Sequence, residues 1–167
     1  MSRSVADEPP APERRVARTR AGPYSTTEWE LLTSLPGRVI VIAAQPGPGR
    51  PPRGVTAGIA GLDAVAAGRA FDSDLVRAVV AEIYARHDGA SLPAALTELV
   101  DVLADCRRAV RVLDRRADPA DSAAYRQWVQ SVAARVCGTA SGALPPGTLA
   151  PAERRLLDRL GVALGLR

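Results

Sequence analysis

Lysine is absent from this 167-residue chain, and all 22 of its basic residues are arginine. A Walker-type phosphate loop needs a lysine to reach the phosphates and a Ser or Thr to hold magnesium. The one stretch with that outline, "RVIVIAAQPGPGRPPRG" (38–54), has neither. Pro46, Pro48, Pro51 and Pro52 also lack the N–H that a phosphate cradle uses. The dinucleotide pattern G-x-G-x-x-G fails as well, because Gly47 and Gly49 are followed by Pro52. A nucleotide is therefore not expected as a ligand, and the loop reads as a proline-stiffened connector over 45–54.

Other scarcities narrow the field further. His87 is the single histidine, so a multi-histidine metal centre is excluded. It can be read as a helix-end histidine with Asp88 beside it, or as half of a dyad with Cys106 or Cys137. Those two cysteines are the only ones, and each lies in an apolar helical stretch. Buried thiols are the simpler reading and a disulfide the alternative. Aromatic residues make up 4% of the chain against 47% hydrophobic, so the apolar content is Ala, Val and Leu. A core of small side chains suits close-packed helices better than a β-sandwich. No apolar run approaches the roughly 20 residues of a membrane span. The pair Arg14-Arg15 lacks the apolar stretch of a secretion signal, so a cytoplasmic location is expected.

The net charge is +4 with 18 acidic residues interspersed among the arginines. The Ala, Arg, Gly and Pro bias fits a GC-rich coding composition, which weakens any argument from arginine to nucleic acid. Residues 1–24 hold almost no large apolar side chain and read as a disordered Arg/Pro-rich tail. Arg14, Arg15, Arg18 and Arg20 make it either solubilising or able to touch an acidic partner.

Order is expected from Ser25, where "STTE" has the form of a capping box. Trp29, Leu32, Leu35, Val39 and Ile42 then recur at helical spacing. Pro36 predicts a kink there, or a second helix beginning in its first turn. The β-branched run 39–42 leaves a short strand open as the alternative. Further on, Val55, Ile59, Leu62 and Val65 or Ala66 share a helix face. Glycines three apart in that segment allow close approach to a neighbour. The "FDSDLVRAVVAEIYARHDG" segment offers Asp72 or Ser73 as cap. It places Val76, Val80, Ile83 and His87 on one face. Leu92, Leu96, Leu99, Leu103, Cys106, Val110 and Leu113 form a heptad seam, serving either a coiled coil or a core-facing bundle helix. A fifth helix at about 120–139 groups Tyr125, Trp128, Val129, Val132 and Val136. A last one buries Leu156, Leu157, Leu160 and Leu164. The predicted fold is all-α, a single bundle of five to seven helices over 25–167.

Glu98, Asp101 and Asp105 fall in one sector of the heptad helix, opposite its leucine seam. Such carboxylates suit a hard divalent cation. A solvated face, with Arg108 paired to Asp105, accounts for the same residues.

The segment at about 125–166, "YRQWVQSVAARVCGTASGALPPGTLAPAERRLLDRLGVALGL", resembles the helix–loop–helix of tellurite-resistance-type (TerB-like) domains. Glu153 matches the Glu of their Ser-x-x-Glu helix start, and Ala163 to Leu166 match their leucine-glycine-leucine close. Ser141-Gly142 stands in place of Asp-Gly, and Ala150 in place of the capping Ser. The resemblance implies an all-α cytoplasmic domain whose acidic residues are associated with metal, although the loop Asp is missing here. "STTEWELLTSLPGRV" is similar to the same helix start and implies an internal duplication.

The sequence thus points to a small non-enzymatic helical module acting through protein–protein interaction, including self-association through the 92–115 helix. No cofactor is called for. The alternative is a TerB-like metal-binding protein using Glu98, Asp101, Asp105 and Glu153 for a divalent cation. Arginine-driven nucleic-acid binding is a third, weaker reading.

Overall fold

The first helix begins where Ser25 and Glu28 cap each other. The Glu28 backbone N–H donates to Ser25 Oγ at 3.2 Å, and the Ser25 N–H donates to the Glu28 carboxylate at 2.8 Å. Tyr24, just before the cap, stacks on Trp29 with ring centroids 5.9 Å apart. That is a hydrophobic staple, which fixes the angle at which the chain enters the helix. The computed structural model describes residues 22–45, 54–87, 97–139 and 148–166. The expected tail falls mostly outside these residues, but Tyr24 belongs to the fold.

Six helices and no strand occur among the described residues. They are α1 (Thr26–Ala44), α2 (Gly54–Ala67), α3 (Asp74–His87), α4 (Leu99–Arg116), α5 (Pro119–Gly138) and α6 (Pro151–Ala163). A short 3-10 turn, Gly68–Ala70, follows α2. The β-branched run 39–42 is helical, within α1.

Pro36 neither ends α1 nor starts a new helix; the helix runs through it. Proline has no N–H, so the Leu32 carbonyl four residues earlier loses its intrahelical donor. The buried Tyr125 hydroxyl of α5 donates to that carbonyl at 2.7 Å. Three residues on, the Trp128 indole N–H donates to the Ala64 carbonyl at 3.3 Å, at the end of α2. One turn before Tyr125, Asp121 accepts from the Ser73 hydroxyl at 2.5 Å. Ser73 Oγ in turn accepts from the Val76 N–H at 3.2 Å, which makes Ser73 the cap of α3. A single face of α5 therefore serves a break or an end in three other helices. Consistent with that position, α5 packs against all five of the others.

α1 and α4 run antiparallel in a register marked at three levels. Glu28 lies 3.5 Å from Arg116, Arg38 pairs with Asp105, and Gln45 Nε2 donates to the Thr97 carbonyl at 3.3 Å. The heptad seam is shorter than its sequence pattern. Leu92 and Leu96 lie outside the described residues, Thr97 and Glu98 are not helical, and α4 starts at Leu99. From there Leu103, Cys106 and Leu113 are buried in the core, widened by Val102, Ala109 and Val112. The seam is thus used within the chain.

α2 faces the opposite way from its large side chains. Ala57, Gly61, Ala64 and Val65 are buried. A Cβ on Gly61 would stand 2.7 Å from the Ile40 side chain, and one on Gly68 would stand 2.6 Å from Trp128 Nε1. Small residues thus let α1 and the indole come in close, while Val55, Ile59 and Leu62 point to solvent.

The Tyr125 bond yields a double-mutant test. Tyr125→Phe leaves a fully buried carbonyl without a donor and is expected to cost about 1–3 kcal/mol in urea unfolding. Pro36→Ala restores the N–H that Leu32 lacks. In the Tyr125→Phe background it should recover most of that loss, giving a coupling of about 1 kcal/mol or more. Additive effects would refute this account of the break.

Candidate functional site

The four acidic candidates have separate structural roles. Glu98 occupies the cap position before α4 in extended conformation and is exposed, as is Asp101 in the first turn. Asp105 is buried and ion-paired on both sides, to Arg38 of α1 and to Arg108 one turn on at 2.6 Å. Glu153 is buried at the start of α6, where its carboxylate accepts the Ala150 N–H at 2.8 Å. That is the acidic half of a capping box without the Ser. Among the described residues, no three His, Cys, Asp or Glu side chains are grouped to hold a metal ion. His87 ends α3, and Asp88 lies outside the described residues.

The titratable groups of the interior are tuned by packing. Burial pushes the Cys106 thiol up to about 12, against smaller opposing pulls from Arg107, its own backbone N–H and Arg38. Cys137 is likewise buried, and both cysteines are free. Burial raises the Tyr125 hydroxyl well above its ordinary value. A thiol held protonated is a poor nucleophile and a poor metal ligand. Glu28 shifts the other way. The Ser25 N–H holds its carboxyl below the usual range, opposed by partial desolvation and aided by Arg116, the Ser25 hydroxyl and Arg115. Its contribution to stability is therefore in place above the unfolded-state value and fades as pH falls through the lowered one.

Two surface features stand out among the described residues. The first is a cleft of about 280 Å³ between α4, α5 and the chain end, lined by Leu113, Pro119, Ser122, Arg126, Gly165 and Leu166. The Arg126 guanidinium donates to Asp114 and, at 2.7 Å, to Ser122 Oγ, while its Nε is buried without a partner. Asp114 already balances this charge. Gly165 closes the cleft with φ +68, the left-handed residue of a Schellman stop in which the Leu166 N–H reaches the Gly161 carbonyl at 2.9 Å.

The second is the outer face of α2. Val55 is 78% exposed, Ile59 53% and Leu62 50%, three large apolar side chains at steps of four and three. The sequence GVTAGIAGLDAVAA carries one charge, Asp63, in fourteen residues. Helical spacing made this row visible in the sequence. Its outward direction was not, because that depends on Ile40 and Trp128 claiming the small-residue side. Among the described residues, no helix is long and apolar enough to cross a membrane.

No family model matches the chain, and neither the curated proteins nor the solved structures yield a match.

Two measurements follow. Asp105→Asn should cost about 1–3 kcal/mol in chemical denaturation, because it breaks a buried pair whose arginines can still reach water. Asp101→Asn should leave the midpoint unchanged. A thiol reagent at pH 8 should titrate neither cysteine in the native protein and both after denaturation. Rapid native labelling of Cys106 would contradict its burial.

Proposed function

We propose that the chain is a non-enzymatic helical docking module whose working surface is the outer face of α2. The observation that carries this reading is the row Val55, Ile59 and Leu62, exposed on a helix whose opposite face is locked into the bundle. Single exposed apolar residues are ordinary, but a contiguous apolar row marks an interaction surface. A helix face with anchors at i, i+4 and i+7 is a recurrent mode of protein recognition. The interior supports the same reading. Among the described residues, the buried acids, hydroxyls and indole serve helix ends, a helix break and ion pairs rather than facing a cavity. The location expected for such a module is the cytoplasm.

A photo-cross-linking amino acid in place of Leu62, introduced in living cells, tests this. A protein adduct of defined mass is expected, with none from the same substitution at Arg86, an exposed position on α3. Ile59→Glu should suppress the adduct while leaving the thermal unfolding of the purified chain unchanged. Absence of any adduct from positions 55, 59 and 62 would overturn the proposal.

A further inference from the structure

We propose that the outer face of α4, from Arg107 onward, binds the phosphate backbone of double-stranded nucleic acid without reading its sequence. Five arginines lie there, Arg107, Arg108, Arg111, Arg115 and Arg116, and all five are exposed. At about 100° and 1.5 Å per residue, Arg107, Arg108, Arg111 and Arg115 fall within a sector of about 100° along about 12 Å of the helix. Composition accounts for the number of arginines in the chain, but not for this placement.

Pairing leaves the row under-neutralised. The two acids nearest to it on α4 are both claimed by other helices. Arg38 of α1 pairs with Asp105, and Arg126 of α5 pairs with Asp114. Asp105 also holds Arg108 at 2.6 Å, and Glu28 of α1 lies 3.5 Å from Arg116 and 3.8 Å from Arg115. Arg38, Arg108, Arg115, Arg116 and Arg126 thus share Glu28, Asp105 and Asp114. Among the described residues, Arg107 and Arg111 pair with no acid. Cations in the last turn suit the helix dipole, which covers Arg115 and Arg116. That effect fades within one turn and does not reach Arg107 and Arg111. Like charges four residues apart weaken a helix, so the row Arg107, Arg111 and Arg115 stands against the stability of α4. A polyanion along the row turns that repulsion into attraction.

The chemistry of the face favours a duplex over other anionic partners. A row of about 12 Å spans about three phosphates of one duplex strand, and the planar guanidinium suits phosphate oxygens. The exposed positions from 104 to 115 are Ala104, Arg107, Arg108, Arg111, Asp114 and Arg115, with no large apolar side chain. Leu103, Val112 and Leu113 are turned into the core. A helix lying on a membrane needs an apolar face to insert, and a protein partner needs apolar or aromatic anchors. α4 contains no aromatic residue, so it offers no platform on which single-stranded bases could stack.

Fluorescence anisotropy of the full chain with labelled DNA duplexes of two unrelated sequences, from about 50 to 200 mM salt, reads the binding. Equal affinity for the two sequences is expected, falling steeply with salt. Arg107→Gln/Arg111→Gln should weaken binding about tenfold or more at the lowest salt and make the log–log salt slope shallower by about two. Its thermal unfolding should fall no lower than the parent's. Arg107→Lys/Arg111→Lys should keep most of the affinity. Arg86→Gln/Arg135→Gln removes the same charge from exposed positions on α3 and α5 and should keep it as well. A chain that does not bind the duplex overturns the proposal, and so does a folded Arg107→Gln/Arg111→Gln chain that binds like the parent. Equal weakening by the Arg86/Arg135 pair also overturns it, because binding would then follow net charge alone. Phosphatidylserine vesicles and polyglutamate are titrated in parallel. Tighter, row-dependent binding to either of them than to the duplex assigns the face to a membrane or to an acidic protein and refutes nucleic acid as its partner.

Discussion

The bond from the Tyr125 hydroxyl to the Leu32 carbonyl allows α1 to be one helix. Without it, Pro36 would leave a polar group stranded in the middle of the core. In water that carbonyl would find another partner; here Leu32 is fully buried and Tyr125 supplies the donor. The hydroxyl also orients its ring, and the ring packs edge-on to Trp128 at 5.8 Å between centroids. Trp128 then reaches the Ala64 carbonyl, so the healed break in α1 and the end of α2 are tied through one turn of α5. Asp121, one turn earlier, extends the same face to Ser73 and the start of α3. A chain with 4% aromatic residues uses two of them as polar connectors at its centre.

This arrangement determines which way α2 faces. Rotated by half a turn, α2 would bury Val55, Ile59 and Leu62, each worth about 1.5–3 kcal/mol. The space is not available, because the Trp128 indole and the Ile40 side chain occupy the positions that Gly68 and Gly61 leave open. The Arg69 guanidinium, 4.4 Å above the Tyr84 ring, fastens the turn beyond α2 to α3. The exposed row follows from how the interior is filled, and composition alone does not account for it.

Local signals were the legible ones. The box at Ser25 and Glu28, the helical spacing through α1, and the turn before α5 are written within a few residues of where they act. Cys106 and Cys137 read as small buried hydrophobes, and the structure buries both. Signals that depend on distant partners were not legible. Pro36 reads as a kink because the donor that serves the Leu32 carbonyl, Tyr125, lies 93 residues from Leu32. Asp105 reads as one of three carboxylates on a solvated sector because Arg38, which draws it inward, belongs to another helix. The heptad seam suggests a helix from Leu92, but the extended Glu98 cap starts α4 at Leu99. The residues that carry the TerB-like resemblance have local roles here too. Glu153 caps the start of α6, and the closing Leu-Gly-Leu is the stop at its end.

Rigidity serves chemistry and association differently. A catalytic centre needs polar groups held in place yet left unsatisfied toward a substrate. Here the buried hydroxyls, indole and carboxylates named above are directed at helix ends, a helix break and ion pairs, and Asp114 pairs with Arg126 beside the α4–α5 cleft. A docking face needs anchors held in place by packing that does not depend on the partner. α2 meets that need: its inner face is clamped by close contacts that tolerate no added methyl group, and its outer face projects three side chains from a fixed backbone. Because that backbone is ordered before any partner arrives, binding costs little beyond the freezing of three short apolar rotamers. For the docking proposed, that low cost offsets the small area of the face.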